Sequence, residues 1–368
     1  MQLVCEGLDL ADAVVKVSKA IPNKTTNPIL EGIKLVASED TLTLSATDLD
    51  LSIEKKIKAE VKIEGETVVP GKLFTEFMQK LSNEKIELTL NENNQLKIKY
   101  IDSESDFYCF ITDEYPSFNQ VSKNEYFSIK NTDLKNLISR SIFSVAMDDS
   151  RPILRGVLFE VSNSEVKAVA LDGYRLALAK TPVISSNFSG GVIIPSKSLS
   201  EVSKLIGDND EAVNVFVDKK YIMIDNGETK VISRILEGEF LNYKQIISND
   251  FETMVIINRS QIMNALDRAS TLSKVGQNNL VKFDIKENNM LISSNSDIGN
   301  IKENVNISVE GKDLFIAFNA RYFMEAFRVI SDEFVKLKFN SASNPCIITP
   351  VDDTSSYLFL ILPVRIMG

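Results

Sequence analysis

Two adjacent pairs of acidic residues are the first candidates for chemistry in this sequence. Asp148 and Asp149 form one pair, and Asp352 and Asp353 form the other. Neighbouring carboxylates can hold Mg²⁺ or divide the roles of general acid and general base. Both pairs lie in loop-like contexts, however, and adjacent residues on an extended chain point in opposite directions. Solvated turns are therefore the favoured interpretation, and we predict no catalytic residue and no metal site.

The residue types on which many enzymes depend are missing. The 368 residues include no histidine, which excludes Ser–His and Cys–His nucleophilic pairs and imidazole metal ligands. Cys5, Cys109 and Cys346 are far apart and form no CxxC pair, as expected for reduced thiols. The sequence also lacks phosphate-binding glycine motifs, a signal-like N-terminus and an apolar run long enough to cross a membrane. We therefore expect a cytoplasmic protein without a cofactor, a membrane contact or an active site.

Basic side chains recur at nearly constant intervals although the net charge of the chain is −10. Lys72, Lys197 and Arg321, for example, are separated by 125 and 124 residues. A single exposed lysine or arginine usually serves solubility, but the same charge at corresponding helix positions favours a shared function. A basic helix surface suits the phosphate backbone of DNA, which point charges contact without reading the bases. The recurring cations are Lys16, Lys72, Arg140, Lys197, Lys204, Arg268, Arg321 and Arg328.

The same interval relates three copies of one folding unit. Pro28 and Pro152 stand 124 residues apart in matching Pro-Ile-Leu-x-Gly segments, and Asp48 and Asp172 repeat that interval. A fainter third copy is marked by an Asn-Ala-Arg segment that begins at Asn319. We therefore predict three domains at residues 1–122, 123–248 and 249–368. The polar segments between them are short, so the domains should abut rather than hang on tethers.

Each copy has the same predicted order of elements. An amphipathic helix comes first, strands follow, a second helix begins after Pro70, Pro195 or Asn319, and paired strands close the unit. Ser260 is expected to cap the first helix of the third copy. The predicted fold class is α+β, with two helices packed on a mostly antiparallel sheet in each domain.

Two stretches suggest binding as well as folding. Asp172 and Gly173 favour a tight hairpin turn, but Tyr174 and Arg175 follow at once, and these residue types are preferred in binding sites. Near the C-terminus, residues 358–362 predict a final strand. Pro363 cannot continue its ladder, so the apolar residues beyond it are expected at a frayed end, which could line a groove for a peptide.

The sequence resembles the bacterial sliding clamps, the beta subunit of DNA polymerase III. The resemblance covers the whole length and rests on the three repeats, on segments 151–159, 171–177 and 238–243, and on the Leu-Pro-Val-Arg-Ile stretch at 362–366. It implies a head-to-tail homodimer whose six domains close a ring around duplex DNA, with the helices lining the hole. It also implies a separate ATP-driven clamp loader, and a groove between the second and third domains in which the polymerase and other replication or repair proteins dock short apolar peptides.

Site residues follow from the resemblance position by position. Lys24 matches a DNA-contacting arginine of the family, and the looser matches Phe107, Tyr108, Phe110 and Leu272 correspond to dimer contacts. The groove implied by the resemblance comprises Leu154, Leu171, Gly173, Tyr174, Arg175, Leu176, Leu241, Ile246, Asn319, Tyr322, Leu360, Leu362, Pro363, Val364 and Arg365.

Several positions depart from the family pattern. Tyr174 stands where the family often has histidine, Leu241 stands where proline is common, and Gln245 replaces a basic residue at the rim of the groove. Met367 and Gly368 extend past the common end and could cover part of the groove. We expect the shape of the pocket floor to differ accordingly.

Three hypotheses remain open on the sequence. The first is a processivity clamp that encircles DNA and tethers partners. The second is a repeat-domain scaffold that binds peptides and never meets DNA. The third, a hydrolase that uses the acidic pair at 148–149, is disfavoured by the absence of histidine and of catalytic motifs.

Overall fold

The fold was analysed in a computed structural model, which describes residues 1–81, 83–148, 150–248, 250–273, 279–352 and 356–365. The strand pairings within these ranges are antiparallel. Apart from an additional strand before each first helix, helices and strands follow the predicted order in all three repeats, which confirms the α+β class. Within the described ranges, no helix is both long and apolar enough to cross a membrane.

Two α-helices lie in the described part of the first repeat, and the second begins directly after Pro70, as predicted. A strand that the sequence pattern did not indicate precedes the first helix. The elements are β1 (Gln2–Glu6), α1 (Gly7–Val17), β2 (Gly32–Ser38), β3 (Thr41–Thr47), β4 (Leu51–Lys58), β5 (Glu60–Ile63), β6 (Gly65–Pro70), α2 (Gly71–Met78), β7 (Lys85–Leu90), β8 (Gln95–Tyr100) and β9 (Ser103–Tyr108).

The second repeat follows the same order, again with an unpredicted strand before its first helix. Its second helix begins directly after Pro195. The elements are β10 (Tyr126–Lys130), α3 (Asn131–Ile142), β11 (Gly156–Val161), β12 (Glu165–Leu171), β13 (Arg175–Pro182), β14 (Ser185–Ser186), β15 (Gly190–Pro195), α4 (Ser196–Leu205), β16 (Ala212–Val217), β17 (Tyr221–Asp225) and β18 (Thr229–Arg234).

The third repeat ends with the strand predicted near the C-terminus. The Asn258 side chain accepts a hydrogen bond from the Gln261 amide at 3.1 Å, so Asn258 rather than Ser260 caps the first helix. The elements are β19 (Thr253–Asn258), α5 (Arg259–Ser273), β20 (Leu280–Lys286), β21 (Asn289–Ser296), β22 (Gly299–Gly311), β23 (Leu314–Asn319), α6 (Ala320–Arg328), β24 (Phe334–Phe339), β25 (Cys346–Pro350) and β26 (Tyr357–Ile361).

The second helices are held by the same buried position in every repeat. Phe74, Leu199 and Phe323 are each 0% exposed, as their spacing after the helix start predicts. In the third repeat Phe323 lies edge-on to Phe283 and Phe318, with ring centroids 5.2 and 4.9 Å apart. Burial of one large apolar residue per helix fixes which face of each helix remains in solvent.

The chain divides into two compact units that do not coincide with the sequence repeats. The first unit comprises Met1–Asn131, Ile184–Phe188 and Ser200–Ile235, and the second comprises Thr132–Val183, Ser189–Leu199 and Leu236–Gly368. The division passes through the second repeat because its strands belong to different sheets, some joined to the first repeat and some to the third.

The first unit contains a five-stranded sheet and a nine-stranded sheet. Their orders are β5-β1-β7-β8-β9 and β14-β10-β16-β17-β18-β4-β3-β2-β6. In the larger sheet, β18 of the second repeat pairs with β4 of the first, with Ser233 opposite Leu51. Lys55 and Glu228 (2.6 Å) and Lys230 and Glu54 (2.8 Å) form ion pairs across this junction.

The second unit is built on one sheet of twelve strands, in the order β15-β11-β12-β13-β26-β25-β24-β19-β22-β21-β20-β23. Here β26 of the third repeat pairs with β13 of the second, with Leu360 opposite Leu176. At both junctions the hydrogen-bond ladder passes directly from one repeat to the next. The prediction that neighbouring repeats abut is therefore confirmed.

The repeated framework residues have structural roles. Asp48 accepts hydrogen bonds from the amides of Asp50 and Leu51, and Asp172 does the same for Tyr174 and Arg175. Each carboxylate thereby closes the turn at the end of one strand pair. The two aspartates that recur at the 124-residue interval therefore position the chain in their turns.

Candidate functional site

The acidic pairs do not form a reactive cluster among the described residues. Asp148 is exposed and accepts hydrogen bonds from the amide and hydroxyl of Ser150, which hold its pKa below the usual value. Asp149 and Asp353 lie outside the described residues. Within the described ranges, no three His, Cys, Asp or Glu side chains are placed to hold a metal ion. Asp148 therefore fits the interpretation of a solvated turn residue.

The cations of the second helices occupy matching positions. Lys72, Lys197 and Arg321 are each the second residue of their helix, on α2, α4 and α6, and all three are exposed. Lys204 and Arg328 are both the ninth residue of theirs and are also exposed. The charge pattern read from the sequence interval is therefore a pattern of equivalent helix positions.

The cations of the first helices match in the same way. Lys16, Arg140 and Arg268 are each the tenth residue of their helix, on α1, α3 and α5. Arg140 and Lys16 are half-buried, whereas Arg268 is exposed. Lys24, in the loop after α1, is exposed as well. Each repeat thus presents at least one cation from both of its helices.

Acidic neighbours offset part of this positive charge. Lys204 pairs with Glu201 at 2.9 Å, and Arg321 pairs with Glu325 at 2.7 Å. In both pairs the cation is exposed although the carboxylate is mostly buried, and an exposed cation contributes little stability to such a pair, about 0–1 kcal/mol. A phosphate that approaches Lys204 or Arg321 must therefore displace a carboxylate, which weakens and tunes the contact rather than preventing it.

A cavity lies beside the first helix of every repeat. The three cavities have volumes of about 610, 490 and 320 Å³, and Lys16, Arg140 and Arg268 line one each. Lys56 lines the first and Lys180 the second, and these lysines are 124 residues apart. Both were missed in the sequence, although the repeat interval alone relates them. Each of them adds a second basic residue to the cavity that it lines.

The floor of the candidate peptide groove is one apolar cluster. Leu154, Leu171, Leu176 and Leu360 are each at most 3% exposed and pack together, and the half-buried Leu362 packs against them. The structure therefore brings together residues from the second and third repeats that are far apart in the sequence. Their aliphatic side chains form a buried apolar base, and among these residues the half-buried Leu362 is the one that offers surface to a ligand.

The rim of the groove carries exposed apolar side chains. Tyr174 is 61% exposed, and Leu241 and Ile246 are each 44% exposed. Tyr174 stacks on Tyr322 with ring centroids 6.3 Å apart. Gly173, with φ +94°, lets the chain turn just before Tyr174, and no atom lies within 4 Å of where its Cβ would be. Large exposed apolar groups of this kind are typical of a protein-binding patch.

Arg175 lies under this rim rather than on it. The residue is 7% exposed, and its guanidinium contacts Asp172 at 3.0 Å and also Glu325. The rings of Phe143 and Tyr322 lie 5.5 and 4.7 Å from it. The contacts with Glu325 and Tyr322 join the second repeat to α6 of the third. Arg175 thus positions the groove, and direct contact with a ligand stays a prediction.

The pKa of the Glu325 carboxyl depends on its contacts with Arg321 and Arg175. Burial pushes the pKa of its carboxyl upwards, but hydrogen bonds from Arg321 and Arg175 outweigh burial and hold the pKa below the usual value. Burial raises the pKa of Tyr322. Asn319, also predicted in the groove, accepts a hydrogen bond from the Arg321 amide at 3.0 Å and so caps α6.

The chain after β26 is not frayed in its first residues. The Leu362 amide donates to the Tyr174 carbonyl at 2.9 Å, and the Val364 amide donates to the Ala317 carbonyl at 2.8 Å. The expectation of a loose end beyond Pro363 is therefore wrong for Val364, because its amide is bonded to Ala317 on β23 of the same repeat. Arg365 is exposed. Residues 366–368, which include the predicted cover of the groove, lie outside the described residues.

The four candidate dimer contacts have different environments. Tyr108 is 75% exposed, whereas Phe107 is 8% exposed and packs against Phe74 and Phe77 at 5.7 and 5.2 Å. Phe110 is half-buried in a cluster around Tyr115, and Leu272 is half-buried near the end of α5. The ring of Phe107 therefore belongs to the core and leaves little surface for a second subunit.

Two sheet edges near these residues have no neighbouring strand within the described ranges. Strand β9 pairs only with β8. The first half of β22, residues 299–306, pairs only with β21, because β19 takes residues 307–311. Unpaired backbone groups on such edges can accept a strand of another chain.

Comparison with known proteins gives consistent results along the whole chain. Models of the DNA polymerase III beta subunit match its N-terminal domain at residues 1–119, its central domain at 128–242 and its C-terminal domain at 244–365. The beta sliding clamp of Bacillus subtilis is 36% identical over 97% of both chains, and that of Staphylococcus epidermidis is 35% identical over 94% of both. Crystal structures of the B. subtilis clamp and of the Streptococcus pyogenes beta subunit superpose over 100% of both chains with TM-scores of 0.96, at 33% and 30% identity.

Proposed function

The chain belongs to the DNA polymerase III beta subunit family, the bacterial sliding clamps, and from this premise we propose that it encircles duplex DNA without sequence preference and tethers other proteins to it. The observation that carries the proposal is the recurrence of Lys72, Lys197 and Arg321 at one exposed helix position in three repeats. Cations that repeat by structure contact phosphates at regular places and read no bases. We take the three domains to be residues 1–122, 123–248 and 249–368, and the location to be the cytoplasm.

A homodimer completes the proposed ring. Two unpaired strand edges support this dimer, namely β9 and residues 299–306 of β22. Strand β9 of one copy can pair with β22 of the other and so extend its sheet. Exposed Tyr108 lies on β9 and Leu272 lies close to Gly299 at the start of β22. A head-to-tail arrangement uses both edges twice and closes without a free end. A clamp loader would open one of these two contacts.

The groove is the proposed attachment point for the replicative polymerase and other replication or repair proteins. An extended peptide with apolar side chains would pack them against the exposed Tyr174 and Leu241 and the half-buried Leu362. The buried leucines of the same cluster support this surface from below. The rigid tyrosine costs little conformational entropy when it binds, so it is suited to hold such a peptide.

Retention on circular DNA tests the ring. After loading onto a nicked circle, the protein should stay bound through gel filtration and should be lost once a restriction enzyme linearises the circle. The reason is topological, because a closed ring can leave a circle only by opening. Equal loss from circular and linear DNA would contradict encirclement and would favour the peptide-binding scaffold. The mass in dilute solution should be twice that of one chain.

Replacement of Tyr174 by alanine should weaken binding of the polymerase's apolar clamp-binding peptide by roughly thirtyfold, which corresponds to about 2 kcal/mol for an aromatic hot spot. Fluorescence anisotropy of the labelled peptide measures this. Ile63→Ala is the matched control, because Ile63 is 57% exposed but lies on β5 of the first repeat. Equal affinities for both variants would place the peptide elsewhere.

A further inference from the structure

The cavities of the three repeats occupy equivalent places but differ in how their central cation is bonded. Each cavity lies between the tenth residue of the first helix and the last strand of a three-strand meander, which is β4, β13 or β22. In the first repeat the Lys16 ammonium bonds Asp12 at 2.7 Å. In the third, Arg268 makes two bonds to Glu303, at 2.9 and 2.7 Å. These two cations have a carboxylate of their own chain.

Arg140 of the second repeat has no such carboxylate within the described ranges. Asn136 stands at the place of Asp12, so the acid that would lie one turn before the cation is absent. The guanidinium carbon lies 5.1 Å from the centre of the Tyr357 ring. Its Nε is buried and lacks a hydrogen-bond partner in the described part of the chain. A guanidinium stacked on a ring keeps its N–H groups in its own plane. The terminal N–H groups of Arg140, which lines the cavity, are therefore the donors for a ligand there, whereas its Nε is too deeply buried to be reached.

The cavity beside Arg140 has the size and lining for a small oxyanion. Its volume of about 490 Å³ accommodates a phosphate group together with water, and Lys180 supplies a second cation. Two acids also line it. Glu165 is held by Lys167 at 2.9 Å, and Asp133 lies in the first turn of α3. With two cations and two acids the net charge is close to zero, so the site must act through direct hydrogen bonds rather than through long-range attraction.

We propose that this cavity is a binding site for a phosphate group, held by the Arg140 guanidinium with Lys180 beside it. A tetrahedral oxyanion can accept from the planar guanidinium through two oxygens and from the ammonium through a third, which a planar carboxylate cannot do. The group can come from the backbone of the encircled duplex, a source that rests on the proposed function, or from free inorganic phosphate. In either case the second repeat holds a phosphate more firmly than the other two, whose cations are already bonded to Asp12 and Glu303.

The first arm of the test uses inorganic phosphate alone. Isothermal titration of the intact protein at constant ionic strength should detect phosphate binding that weakens at least tenfold in Arg140→Gln. Arg268→Gln is the matched comparison, because it removes the same charge from the equivalent helix position, and it should weaken phosphate binding less than Arg140→Gln does. Lys180→Gln should weaken binding too without disturbing the stack on Tyr357, so the test survives if Arg140→Gln folds poorly.

The second arm measures duplex binding against salt concentration. If the backbone supplies the phosphate, Arg140→Gln should reduce the slope of log affinity against log salt by about 0.9 for each lost contact, and Arg268→Gln by less. A loss in either arm supports the site and identifies its source. The proposal is overturned if Arg140→Gln and Arg268→Gln behave alike in both arms. Retention of the wild-type protein on circular DNA is measured separately, so failure of this site leaves the ring function standing.

Discussion

Arg175→Ala is expected to lower the free energy of unfolding by about 3–5 kcal/mol, which is the cost typical of removing one partner from a buried ion pair. The guanidinium is bonded to Asp172 and Glu325 and lies between the rings of Phe143 and Tyr322. Alanine would leave two mostly buried carboxylates without this cation and would open a gap between the rings. Because Glu325 and Tyr322 belong to the third repeat, the damage should concentrate where β13 meets β26.

The chain supplies its own control for this effect. Arg321 bonds the same Glu325 but its side chain is 62% exposed, so Arg321→Ala should cost no more than about 1 kcal/mol. Urea unfolding compares the two variants, and amide hydrogen exchange in β26 shows whether the junction opens first. Equal stability of both variants, with unchanged exchange in β26, would mean that the buried pair does not hold the repeats together. Peptide binding in the groove should weaken in Arg175→Ala, in which the junction is disrupted, but not in Arg321→Ala.

The burial of Arg175 illustrates what the sequence could not provide. Its acidic partner Glu325 lies 150 residues away and in another repeat. No local pattern indicates that pairing, because it depends on which strand of the third repeat joins β13. The sequence marked Tyr174 and Arg175 as one binding pair, whereas the fold separates them into an exposed ring and a buried anchor.

Local rules were sufficient where the chain itself sets the geometry. The second helices begin after Pro70, Pro195 and Asn319 because the preceding strand ends there and an apolar residue follows at the first buried turn. The constant interval also predicted correctly that the cations occupy equivalent helix positions. The same interval relates Lys56 to Lys180, which lie on strands. The repeat was the strongest signal in the chain.

Local rules were insufficient where a tertiary contact supplies a partner. Pro363 lacks an amide hydrogen, which suggested that the ladder ends there, but Val364 bonds Ala317 on β23. The strands before each first helix, β1, β10 and β19, were missed for a related reason. They are short, and each is held between two strands that come much later in the same repeat.

Simultaneous reversal of Lys72, Lys197 and Arg321 to glutamate is expected to abolish measurable binding to a short duplex and to prevent loading onto a nicked circle. A dimer has six of these positions, and six contacts at about 0.9 each account for a change of about five in the slope of log affinity against log salt. The variant should fold normally, because all three residues lie in the first turn of a helix, where a glutamate is favoured by the helix dipole.

Net charge must be matched for this comparison to have meaning. Reversal of Lys62, Lys219 and Lys286 changes the charge by the same amount at exposed positions outside the helices, and it should leave the salt slope nearly as in the wild type. If both triple variants lose DNA to the same degree, general repulsion rather than the helix positions accounts for the loss. If the helix variant still loads with an unchanged slope, the repeated cations do not face phosphates, and a peptide-binding scaffold becomes the better interpretation. The two triple variants have the same net charge, so a difference in their DNA binding can arise only from the positions of the reversed residues. Such a difference would support a ring whose helices face the DNA.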